Sequence, residues 1–165
     1  MMKRRLQAEA QKLVALAKER SLTLATAESC TAGALVHLLA DVPGGGEVLH
    51  GGFVVYSKIQ KTEALGVPEE LLARDTAVSS SVATAMAKGA LKRSPADLVV
   101  AITGVAGPEP DEDGNPVGLV IVAVAARDGR TKVTEYRLGD APKGEICQVA
   151  MRSGIQLLQD FVTAS

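Results

Sequence analysis

The sequence predicts one three-layer α/β/α domain with a mixed β-sheet, spanning residues 1–165. Three observations carry that prediction. Segments with helical apolar spacing alternate with β-rich segments along the chain. Leu98-Val99-Val100-Ala101-Ile102 is a continuous apolar run of strand length, which suits a strand covered on both faces. Asp128-Gly129 joins two β-rich runs, a strong signal for a hairpin and hence for antiparallel strands. Composition agrees. Hydrophobic residues make up 47% of the chain and aromatic residues only 2%, so the core is aliphatic. A chain of 165 residues buries such a core without disulfides or a structural metal.

Residues 3–20 read as an amphipathic helix, with Leu6, Ala10, Leu13, Val14 and Ala17 on one face. Residues 22–27 read as a short strand and 31–40 as an apolar helix, ended by Pro43-Gly44-Gly45-Gly46. Residues 48–56 are β-rich, and Gly51-Gly52 inside them predict a bulge or a close backbone approach. A short helix over 57–65 precedes another opened by Pro68, because proline suits a first helical turn. A long helix over 79–93 has Ser79, Ser80 or Ser81 as its cap. A strand follows over 96–103, then a loop over 104–116. The hairpin strands occupy 117–126 and 131–138. The last helix covers 143–162, with Ile146, Val149, Ala150, Leu157, Leu158 and Phe161 at helical spacing.

Charge and composition exclude several classes. Eighteen Lys and Arg against nineteen Asp and Glu give a net charge of -1, which argues against nucleic acid as a partner. No apolar run is long enough to cross a bilayer, and the charged start of the chain does not resemble a signal peptide, so a cytoplasmic location is expected. Cys30 and Cys147 match no zinc or redox spacing, and a reduced pair is the simpler reading. His37 reads as a packed or interfacial residue. Glu109, Asp111, Glu112 and Asp113 read as a mobile loop without calcium-ligand spacing. No metal and no cofactor is expected.

Three segments at strand ends hold more polar and glycine residues than turns require. In Thr26-Ala27-Glu28-Ser29-Cys30-Thr31-Ala32-Gly33, a strand-to-helix turn can expose a side-chain oxygen beside free helix N–H groups. Ser29 or Thr31 equally suits a plain helix cap. In Tyr56-Ser57-Lys58-Ile59-Gln60-Lys61, a desolvated Lys61 could activate a serine, whereas Lys58 looks like an ordinary surface lysine. Ile102-Thr103-Gly104-Val105-Ala106-Gly107-Pro108 follows an apolar strand, where open α/β sheets bind ligands, although it also suits a tight turn.

Together, TAESCTAG, GGFVVYSKIQK, ITGVAGP and NPVGLV resemble the CinA C-terminal family, in order and spacing, over residues 12–161. The resemblance implies a stand-alone amidohydrolase that converts nicotinamide mononucleotide and water to nicotinate mononucleotide and ammonia. It implies Ser29 as nucleophile, Lys61 as its partner and Tyr56 as a residue of the site. Cys30, Thr31, Ala32, Gly33, Thr103 and Gly104 are the expected substrate contacts. The helix start supplies the oxyanion donors, and that start or Thr103-Gly104 holds the phosphate. Partners reduce to this small nucleotide and further copies of the chain, a homo-oligomer.

The sequence departs from the family pattern twice. Ala32 replaces a glycine; if the backbone N–H there points at the ligand, alanine is tolerable only with φ below zero. Leu138-Gly139-Asp140-Ala141-Pro142-Lys143 lacks the two arginines of the family's GDR region, leaving Lys143 as the nearby cation. A non-catalytic interaction module on the same fold, or an amidase for another small carboxamide, are the competing readings.

Overall fold

The computed structural model describes residues 2–165. Its elements, in chain order, are α1 (Met2–Glu19), β1 (Leu24–Glu28), α2 (Ala34–Asp41), α3 (Gly45–Val48), β2 (Leu49–Val54), α4 (Lys58–Leu65), α5 (Glu69–Asp75), α6 (Ser80–Lys92), β3 (Leu98–Gly104), β4 (Leu119–Ala126), β5 (Thr131–Arg137) and α7 (Lys143–Thr163). Among the described residues these form one five-stranded sheet in the order β2-β1-β3-β4-β5. β2, β1 and β3 are parallel, and β4 and β5 are antiparallel additions, so the sheet is mixed as the hairpin signal predicted.

Alternation along the central strands feeds two cores. Leu98, Val100 and Ile102 point with Val122 and Val124 into a layer of Leu13, Leu35, Leu39, Ile146 and Leu158 from α1, α2 and α7. Val99 and Ala101 point the other way, with Ala25, Ala27 and Ala123, onto Val82, Ala83, Met86 and Ala87 of α6. Each fully buried Leu, Val or Ile contributes about 1.5–3 kcal/mol of transfer free energy. Alanine dominates the second face, so α6 lies close to the sheet. It also lies close to α4: a Cβ placed on Gly89 would overlap the carbonyl oxygen of Leu65.

Gly51-Gly52 does both things the sequence predicted. The β1–β2 register skips a residue between Leu24↔Leu49 and Ala25↔Gly51, a bulge at His50. A Cβ on Gly52 would run into the Thr26 hydroxyl and lie 3.0 Å from Val36 Cγ2.

The largest local departure concerns the start of α2, read as residue 31 and found at Ala34. Residues 30–33 form a turn in which Ala32 and Gly33 both take left-handed backbone, with φ of 49° and 91°. Ala32 thus holds a positive φ, which costs an alanine about 1 kcal/mol against glycine. The turn folds around Glu28, which is fully buried at the end of β1. Its Oε1 accepts from the Thr31 hydroxyl at 2.8 Å and the Leu35 N–H at 2.9 Å. Its Oε2 accepts from the Thr26 hydroxyl and the Val36 N–H, both at 2.9 Å. The first free donors of α2 are thus capped by a side chain seven residues upstream, which no local capping pattern anticipates.

Two stability predictions result. Glu28→Gln keeps the shape but turns an acceptor into a donor facing donors, and should destabilise the fold by about 3 kcal/mol. Gly89→Ala should cost about 2 kcal/mol through overpacking against Leu65. Urea unfolding of each variant checks both; midpoints equal to the parent's would contradict them.

Candidate active site

Beyond the carboxyl ends of β1 and β3 lies a cavity of about 270 Å³. β1 runs into it because its last residues are clamped on both sides. The Ser29 N–H donates to the Ile102 carbonyl at 2.9 Å, and the Val55 N–H donates to the Glu28 carbonyl at 2.9 Å. Ser29 therefore continues the sheet by one residue and sets its hydroxyl at the cavity floor, 6% exposed.

Lys61 reaches the same point from α4, whose first turn is capped by the Ser57 hydroxyl. Its ammonium lies 2.9 Å from the Ser29 Oγ and donates to the Val55 carbonyl at 2.9 Å and the Tyr56 carbonyl at 3.4 Å. The side chain is 2% exposed. Burial lowers its pKa from the usual lysine value to about 8, helped by the positive Lys58 and opposed by Cys30. No carboxylate bonds to the Lys61 ammonium among the described residues, so burial is not offset by an ion pair. Cys30, next to Ser29, is the opposite case. Burial pushes its thiol up to about 12, with Cys147 adding to the rise, so it stays protonated. Both cysteines are free, and the Cys147 thiol donates to the Cys30 carbonyl at 3.6 Å.

Six of the nine sequence-predicted residues line this one cavity: Ser29, Cys30, Tyr56, Lys61, Thr103 and Gly104. Thr31, Ala32 and Gly33 do not. Thr31 is buried and its hydroxyl is committed to Glu28, as are the Leu35 and Val36 N–H groups. The helix start is therefore no seat for a substrate phosphate, because an internal carboxylate already occupies it. The Thr103 hydroxyl is engaged as well, donating to the Ala77 carbonyl at 2.8 Å. Tyr56 is 67% exposed, and the direct contact between Ser29 and Lys61 leaves no gap for its hydroxyl to bridge.

The sequence missed three further features. Glu28 organises the turn, although it stood within the first motif. Lys58 is not an ordinary surface lysine. It lines the cavity and pairs with Asp113 at 2.8 Å and Glu112 at 3.2 Å, which raises its pKa. The acidic loop carries hydrogen bonds within itself and to the segment before α6. Asp111 accepts from the backbone of Asp113 and Asn115, and the Asn115 amide donates to both Asp111 and Thr76. Glycine and acid content signalled a loop, but only the side-chain partners show that it is held.

The segment that lacks the family's arginines borders a neighbouring cavity of about 350 Å³. Lys143, at the start of α7, lies on its wall with Ala106 and Pro108. Ala106 lines both cavities. Among the described residues no cluster of His, Cys, Asp and Glu could hold a metal ion, and no helix is long and apolar enough to cross a membrane.

Comparison with known proteins places this architecture. The family model of the CinA C-terminal domain matches residues 6–162. A CinA-like protein of Akkermansia muciniphila is 49% identical over 120 residues, covering 73% of this chain and 29% of that protein. Another, from Syntrophus aciditrophicus, is 38% identical over 155 residues, covering 92% of this chain and 36% of that protein. The chain thus spans only about a third of the curated relatives it matches. Crystal structures agree over more than nine-tenths of the chain. The competence/damage inducible protein CihA of Agrobacterium tumefaciens has a TM-score of 0.89 at 38% identity, with 93% of each chain covered. A CinA superfamily protein of Klebsiella pneumoniae has a TM-score of 0.91 at 30% identity, covering 97% of this chain and 99% of its own. With its fold and most of its length matched, the chain belongs to the CinA C-terminal domain family.

Proposed function

We propose that the protein is an amidohydrolase that deamidates nicotinamide mononucleotide to nicotinate mononucleotide and ammonia, with Ser29 and Lys61 as its catalytic pair. The 2.9 Å contact between the Ser29 hydroxyl and a buried lysine carries this reading. A lysine in water is almost wholly protonated at neutral pH and is no base. One whose pKa is about 8 is neutral in roughly a tenth of molecules at pH 7, which suffices for general-base work.

In the first step neutral Lys61 takes the Ser29 proton while the serine oxygen bonds to the carboxamide carbon. The carbonyl oxygen becomes an oxyanion. The N–H group of Cys30, which lines the cavity, pairs with no backbone carbonyl among the described residues and is the candidate donor to it. Collapse breaks the carbon–nitrogen bond, and the Lys61 ammonium returns its proton to the departing ammonia. Water, deprotonated by the same amine, then cleaves the acyl-serine and restores the hydroxyl. Serine supplies the nucleophile throughout. Lys143, on the wall of the neighbouring cavity that shares Ala106, is the candidate cation for the substrate's phosphate. A homo-oligomer belongs to this reading too, supported by exposed Val54, Tyr56 and Ile59 beside the edge strand β2.

Ammonia release from nicotinamide mononucleotide tests the proposal. Ser29→Ala should lose at least about a thousandfold in kcat, as removal of a nucleophile does, while still binding nucleotide. A Ser29→Ala protein that keeps its rate excludes acyl transfer at Ser29.

The pH dependence has a defined sign. Burial lowers the Lys61 pKa, so the active neutral form accumulates as pH rises, and kcat/KM should climb and level above about pH 8. The same shift means that the fold disfavours the ammonium. Lys61 therefore weakens the fold most below pH 8, and this penalty fades as pH rises from there towards the ordinary lysine value. Lys61→Met should abolish turnover yet raise Tm at pH 7. A flat pH–rate profile, or a lowered Tm, counts against a desolvated lysine base.

A further inference from the structure

We propose that Thr76 is a positioning residue, whose strained backbone and hydroxyl together join two walls of the Ser29 cavity that neither Ser29 nor Lys61 supplies. Its kinetic consequence rests on the amidohydrolase reading. Thr76 itself does not line the cavity and touches neither member of the catalytic pair.

The backbone comes first. Thr76 ends α5 with φ of 68° and ψ of 168°. That region belongs essentially to glycine. Among the described residues three others than glycine hold a positive φ, Ser21, Ala32 and Thr76, and only Thr76 is β-branched, which makes it the most strained kind. The turn it makes carries the chain from α5 towards α6 and brings Ala77 and Val78 into the cavity wall. There the Ala77 carbonyl accepts from the Thr103 hydroxyl at 2.8 Å, which ties this wall to the end of β3.

Glycine would adopt the same backbone without strain, but it has no hydroxyl. The Thr76 Oγ1 accepts from the Asn115 side-chain amide at 3.0 Å. The same amide nitrogen donates to Asp111 Oδ2 at 2.8 Å, and Asp111 stands on the opposite wall, in the loop over 105–118. The side chain that strains the backbone is thus the one that holds the second wall to the first. Strain of this kind persists where surrounding contacts fix it, and it gathers at functional sites. The Ser29–Lys61 contact is made by other elements, at the end of β1 and on α4, so loosening the two walls costs substrate affinity and leaves the chemistry in place.

Three variants separate the two roles. Thr76→Ser keeps the hydroxyl, Thr76→Ala loses it under the same strain, and Thr76→Gly loses it and releases the strain. Turnover of nicotinamide mononucleotide, thermal melting and amide hydrogen exchange are measured on each and on the parent. Thr76→Ala and Thr76→Gly should raise KM about fivefold, the worth of one hydrogen bond, with the parent's kcat and pH profile. Thr76→Ser should keep the parent's KM. Thr76→Gly should melt above Thr76→Ala, because only glycine takes this backbone freely. Exchange at the Ala77, Asp113 and Asn115 N–H groups, all hydrogen-bonded to loop carboxylates, should quicken in Thr76→Ala and Thr76→Gly and not in Thr76→Ser. A Thr76→Ala protein with the parent's KM or exchange, a Thr76→Ser protein as impaired as Thr76→Ala, or a Thr76→Gly protein that melts no higher than Thr76→Ala overturns the proposal. If the parent releases no ammonia while the exchange and melting orders hold, Thr76 still joins the walls and the amidohydrolase reading fails.

Discussion

The buried carboxylate of Glu28 sets how β1 passes into α2, and the site depends on that turn. Burying a carboxylate is costly unless its oxygens are fully bonded, and here four donors converge on it from β1, the turn and the first turn of α2. Those bonds hold the turn although Ala32 is left-handed against its own preference. The next residue along, Ser29, is thereby fixed to the β3 backbone with its hydroxyl facing outward. The helix-terminal field that elsewhere binds phosphates is used here to hold an internal anion.

Lys61 meets the opposite condition. Its ammonium is buried with hydroxyl and carbonyl acceptors, so the fold bears an unneutralised cation or deprotonates it. This works against stability, and strongly shifted groups of this kind cluster at reactive sites. The position of α4 that makes it possible is set at the helix's far end. Leu65 packs against Gly89, where α6 offers no side chain. An alanine-rich sheet face draws α6 in, α6 draws α4, and α4 delivers Lys61 to Ser29.

The loop over 105–118 adds the third wall. Two lysines face this cavity with unlike fates. Lys58 gains carboxylate partners and its pKa rises; Lys61 gains none and its pKa falls. They are three residues apart on one helix, and only burial and partners separate them.

The order of helices and strands, the mixed character of the sheet, the hairpin and the bulge near Gly51-Gly52 were all legible in the sequence. Apolar periodicity and turn chemistry are local properties of the chain, so they can be read from it. Ser29 and Lys61 were legible as candidates because their motifs follow predicted strands. The start of α2, the left-handed Ala32, the role of Glu28 and the pairing of Lys58 with the acidic loop were not. Each depends on which distant groups come within hydrogen-bonding distance: Glu28 caps a helix seven residues on, and Lys58 meets Asp113 fifty-five residues away. The sequence determined which segments bury apolar surface. Only the tertiary structure decided where the polar groups left at strand ends find partners, because that pairing is set by the close packing of segments far apart in the chain.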